Sequence, residues 1–150
     1  MNNIWHQINK EVNHTLSQCF IAKLGGREEV PSVCTNAFGI AQFRINDDFT
    51  ILPFKLVVHD IERVTAAHIH LGEGVENGPV VVFLFGPVTR GISVDRGVVT
   101  GTITASDLVG PLQGISLLDL VRKMGAGNTY VNVHTEKHPN GEIRGQIKRF

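Results

Sequence analysis

The chain lacks net charge: 14 Lys and Arg are balanced by 14 Asp and Glu. That balance argues against a general electrostatic grip on nucleic acid or an anionic membrane. No Lys/Arg cluster restores such a grip locally. Long apolar runs are missing too, so no transmembrane helix is expected. The N-terminus lacks a basic region followed by an apolar stretch, so no secretory signal peptide is read there. Met1 reads as a natural start, and the expected location is the cytoplasm, or the cell exterior or surface reached by a non-classical route. Only 2 cysteines occur, Cys19 and Cys34. They are too few for a disulfide scaffold and fit no zinc spacing. Two unpaired thiols are the expectation, with an intrachain disulfide or a crosslink between subunits as alternatives. Gly125-Ala126-Gly127-Asn128 lacks the Lys and the following helix of a phosphate loop, and no Ser or Cys sits in a nucleophile elbow. No catalytic residue is assigned.

What the chain does have is enough apolar material for one core: 150 residues, 42% hydrophobic and 19% charged. Short stretches rich in Val, Ile, Phe and Thr predict strands at 19–24, 37–45, 51–59, 64–71, 79–85, 98–104, 129–135 and 142–148. Turn sequences such as Asn46-Asp47-Asp48, Glu76-Asn77-Gly78-Pro79 and Pro139-Asn140-Gly141 separate them. One helix is predicted from Leu117 to Met124, capped by Ser116 and stopped by Gly125. The predicted fold is all-β, a Greek-key sandwich or barrel over 19–150 with this one helix. Residues 1–18 form a separate arm, helical or flexible, with Ile4, Ile8, Val12 and Leu16 as an apolar stripe. The stripe and the zero net charge point to self-association through the arm.

The chemistry sits in two predicted strands. In Ala66-Ala67-His68-Ile69-His70-Leu71, alternation puts His68 and His70 on one face and Ala67, Ile69 and Leu71 on the other. In Tyr130-Val131-Asn132-Val133-His134-Thr135 it sets Asn132 and His134 opposite Val131 and Val133. Three neutral imidazoles with an open position suit zinc or copper. His138 or Glu142 are the candidates to complete such a set. The competing reading needs no metal. Glu142, Arg144 and Gln146 face away from Ile143 and Ile147, and with Asn132 and His134 they form a polar network held by pairs such as Glu142–Arg144 or His–Glu.

Several motifs occur in a fixed order. They are Phe20-Ile21-Ala22-Lys23-Leu24, Gly26-Arg27-Glu28-Glu29-Val30-Pro31 and Thr35-Asn36-Ala37-Phe38-Gly39. Ala67-His68-Ile69-His70-Leu71-Gly72 and Asn77-Gly78-Pro79-Val80-Val81 follow. Tyr130-Val131-Asn132-Val133-His134-Thr135 and Pro139-Asn140-Gly141-Glu142-Ile143-Arg144-Gly145-Gln146-Ile147 close the series. Together they resemble the CHRD domain, first noticed as repeats in chordin and widespread as single domains in bacteria. The resemblance covers about residues 19–148 and implies an immunoglobulin-like β-barrel distantly similar to Cu,Zn superoxide dismutase. No molecular activity is established for that family, and the resemblance implies mostly fold; the expectation for this chain is a non-catalytic structural or binding module.

In the dismutase barrel a His-x-His strand and a later strand His bind copper on the outer face. By this resemblance His68, His70 and His134 match those three roles. The departures are substantial. The segment Glu73-Gly74-Val75-Glu76-Asn77 holds no histidine to bridge to zinc, and the zinc ligands and the loop disulfide have no counterpart. Metal binding without dismutase turnover is therefore the alternative expectation.

Overall fold

The computed structural model describes residues 18–150. The arm expected over 1–18 lies outside the described residues apart from Gln18. Its carbonyl accepts from the Ile45 N–H, and its side-chain amide donates to Asp47.

Among the described residues the fold is an all-β barrel with one short helix. Eight strands form it: β1 Cys19–Gly25, β2 Phe38–Arg44, β3 Leu52–Leu71, β4 Val80–Phe85, β5 Ile92–Ile103, β6 Thr129–Thr135, β7 Ile143–Gln146 and β8 Lys148–Arg149. Alternation sets the inward face. In β2, Gly39, Ala41 and Phe43 are buried and their neighbours exposed. The core joins Phe20, Phe43, Leu56, Ile69, Val131 and Ile143 with residues from the other strands.

Two strands were expected on either side of Asp60-Ile61-Glu62-Arg63, yet β3 runs unbroken through this charged stretch. Asp60 and Arg63 adopt positive φ, and the register with β5 shifts between Ile61 and Val64. A bulge of this kind bends a strand without ending it. The first half of β3 pairs with β2 and β5, and the second half with β6 and β4. The bend carries one strand around the corner of the barrel. Closure runs β2–β1–β7–β6–β3 and back to β2. The β1–β7 seam is a single pair, Gly25 with Arg144.

Smaller differences have local causes. β5 begins at Ile92, six residues before the predicted start, because Ile92 and Val94 pair with Val64 and Ile61 beyond the bulge. The predicted last strand splits into β7 and β8. Helix α1, Leu117–Gly125, is capped by the Ser116 hydroxyl accepting from the Asp119 N–H. It buries Leu117, Leu120, Val121 and Met124. Cys19 is half-buried in β1 and Cys34 is exposed; no disulfide joins them.

Candidate metal centre

Adjacent strands β3 and β6 build the site. Register pairs His68 with Asn132, His70 with Tyr130 and Ala66 with His134. Ala67 and Ile69 point into the core at 1% and 0% exposure, which turns His68 and His70 outward. Shifts in the β3–β4 ladder on either side of His68-Ile69 re-aim both rings. One ligand atom from each of His68, His70 and His134 falls within 4.8 Å of the others.

Backbone carbonyls fix two of the tautomers. His70 Nδ1 lies 2.9 Å from the Gly78 oxygen, and His134 Nδ1 lies 2.8 Å from the Pro139 oxygen. A carbonyl only accepts, so each Nδ1 carries the hydrogen and each Nε2 keeps its lone pair. His68 Nδ1 is 3.1 Å from His134 Nε2 and donates to it. The His68 and His70 Nε2 atoms are both buried without a hydrogen-bond partner. Nδ1 held by an outer carbonyl and Nε2 turned to the site is the arrangement that orients metal-ligating imidazoles.

Electrostatics keep the rings neutral. Burial lowers His68 to about 4, helped by His134 and His70. Burial also lowers His70 and His134, against the opposing pull of the Gly78 and Pro139 carbonyls. Neutral imidazole is the form that binds a metal. Metal–nitrogen bonds of ~2.0–2.1 Å set tetrahedral ligands about 3.3–3.4 Å apart. The widest spacing in the cluster, 4.8 Å, is about 1.4 Å longer than that, and a metal would replace the His68–His134 hydrogen bond.

The rest of the predicted polar network divides. Arg144, 1% exposed, lies with its guanidinium carbon 3.4 Å above the Tyr130 ring. It donates to the Asn77 side chain and to the Glu73 and Gly74 carbonyls. Gln146 donates to the Gly72 and Gly127 carbonyls. Together they strap the segment after β3 over the site. Glu142 is not on this side. It lies before β7 and accepts from the Thr35 and Thr135 hydroxyls, with His138 at 3.8 Å. The expected Glu142–Arg144 pair is therefore replaced by two separate sets of contacts. His138 and Glu142 face each other and fall outside the three-histidine group.

Two residues escaped the sequence reading. Tyr130 is buried beneath Arg144, its ring stacked on His70 at 4.9 Å with an interplanar angle of 6°, and its hydroxyl accepts from the Gly78 N–H. Its parity with Asn132 and His134 was the available signal. Glu29 is 6% exposed beside Asn132 and Arg144, and burial pushes its carboxyl up to about 7.

A β-barrel carrying an outward-facing His-x-His strand beside a second histidine strand, under a polar strap, defines the class of protein. The family profile of the CHRD domain matches residues 20–147, and the chain belongs to the CHRD domain family. No curated protein sequence matches the chain.

Proposed function

We propose that this domain binds one zinc or copper ion through His68, His70 and His134. The observation that carries this reading is the pair of buried, unpartnered Nε2 atoms of His68 and His70, the latter on a ring held from behind by the Gly78 carbonyl. Buried polar atoms are nearly always satisfied, and a cation between these imidazoles satisfies them. A purely structural network leaves both lone pairs unused. The finer kinship, a Greek-key, immunoglobulin-like barrel of dismutase type, belongs to the same proposal. It is supported by the match of the three histidines to the resembled copper ligands. Zinc and copper titrations of untagged protein followed by calorimetry test the reading. One saturable site in the parent that vanishes in His70→Ala supports it; no saturable site for either ion overturns it.

A second reading is that the module self-associates. Phe38, Ile40 and Val98 are 47%, 40% and 45% exposed on neighbouring strands β2 and β5 flanking β3. This apolar face, with the striped arm, supports it. Light scattering after size exclusion, on the full chain and on a chain lacking residues 1–17, tests it. Two monomer masses would remove the arm as an oligomeriser.

A further inference from the structure

We propose that Asn132 is the fourth protein donor of the metal site, its side-chain oxygen completing a three-nitrogen, one-oxygen set for a divalent ion of the zinc class. The inference rests on the metal-binding reading above.

Strand register carries the argument. His68 stands opposite Asn132, and His70 opposite Tyr130. The diagonal from His68 leads to His134, and the same diagonal from His70 leads to Asn132. In an antiparallel pair, diagonal neighbours on one face lie within reach of long side chains. The first diagonal brings two ring nitrogens to 3.1 Å. The second sets the Asn132 amide beside the His70 ring. His-x-His on β3 thus faces Asn-x-His on β6, two donors from each strand.

The amide's orientation selects its oxygen. Asn132 Nδ2 is directed to the Asn140 carbonyl at 3.5 Å. It also borders the Glu29 carboxyl: a Cβ placed on Gly141 would meet the Glu29 Oε1 and the Asn132 Nδ2 together. Glu29 and Asn140 hold the NH2 end, so Oδ1 is turned to the other side. Asn132 is 3% exposed, and Oδ1 is buried without a hydrogen-bond partner. His70 Nδ1 is committed to Gly78, so the ring also offers only a lone pair on its free side. Two neighbouring acceptors, both buried and both without a donor, are reconciled by a cation.

Competing donors are occupied elsewhere. Glu142 holds Thr35 and Thr135, and His138 faces Glu142. Tyr130 spends its hydroxyl on Gly78. Glu29 lies behind the Asn132 amide nitrogen, where it acts as a positioning residue. An oxygen donor beside imidazoles favours zinc, cobalt or nickel over the soft cuprous ion, which prefers thiolate and thioether.

The test is cobalt and zinc binding by the full chain. Co2+ loading is followed by its visible d–d absorption, and Zn2+ affinity by competition with a chromophoric chelator. The parent is expected to take one Co2+ with a four-coordinate spectrum. Asn132→Ala is expected to weaken Zn2+ by at least about 10-fold and to move the cobalt bands. Asn132→Asp, with a charged oxygen in the same place, is expected to tighten Zn2+ at pH 7. If the alanine variant fails to fold, the Asp variant decides alone, because unchanged affinity and unchanged cobalt bands there overturn the proposal. A parent that binds with both variants matching it overturns Asn132 as donor and leaves the three histidines standing. A parent that binds neither ion overturns both readings together.

Discussion

The Arg144 guanidinium lies flat against the Tyr130 ring, 3.4 Å from its centroid, and the opposite neighbour of that ring is His70, stacked at 4.9 Å. One cation, one phenol and one imidazole thus form a column that ties His70 to the strap after β3. The guanidinium spends its donors on Asn77, Glu73 and Gly74. Arg144→Ala is expected to cost about 2–4 kcal/mol, because it strands buried carbonyls and removes a desolvated cation–π contact. Arg144→Lys keeps the charge and loses the planar fork, and is expected to recover less than half of that. Urea denaturation of both variants checks the order.

The histidine cluster is expected to make the barrel acid-sensitive. Burial holds His68 near 4, below its ordinary 6.5, and lowers His70 and His134 as well. A depressed folded-state value means the unfolded chain binds the proton more readily. This contribution is full above pH 6.5 and is lost as pH falls toward 4. The urea midpoint is expected to drop steadily across that window. His68→Gln is expected to flatten the slope. An equal slope in parent and variant would show that His68 does not carry it.

Glu29 works in the opposite sense. Its carboxyl sits at about 7 against an ordinary 4.5, so its contribution is full below pH 4.5 and is lost as pH rises to about 7. Glu29→Gln removes that loss. The variant is expected to gain about 1–3 kcal/mol on the parent between pH 4.5 and pH 8. Urea curves at the two pH values measure the difference, and a constant offset would contradict the assignment.

Gly141 is where the two halves of the polar interior meet. Its φ of +122° is a conformation that side chains rarely adopt, and a Cβ there would strike Glu29 and Asn132. Gly141→Ala is expected to destabilise by at least about 2 kcal/mol. Thermal unfolding beside Gly114→Ala separates crowding from backbone strain, since Gly114 shares a positive φ but has open space around it.

Parity made the barrel and the histidine face legible: Ile69 and Val133 had to fill the core, so His68, His70 and His134 had to leave it. Ser116 and the apolar spacing likewise marked α1 to within one residue. Other features depend on contacts that no local pattern encodes. Charge at Asp60 to Arg63 looked like a break, but a bulge carries the strand across with those side chains in solvent. Alternation grouped Glu142 with Arg144, but β7 begins one residue after Glu142, and its carboxylate turns to Thr35 and Thr135. Glu29 is buried only because a strap and a turn from distant parts of the chain, at Asn77 and Gly141, close over its corner.

The most direct measurement is metal content after zinc loading and exhaustive desalting of untagged protein, for the parent and for His70→Ala, with elemental analysis as the readout. One zinc per chain in the parent and none above background in the variant is the expected result. A parent without zinc, or a variant that retains as much as the parent, would contradict a metal centre built on these imidazoles.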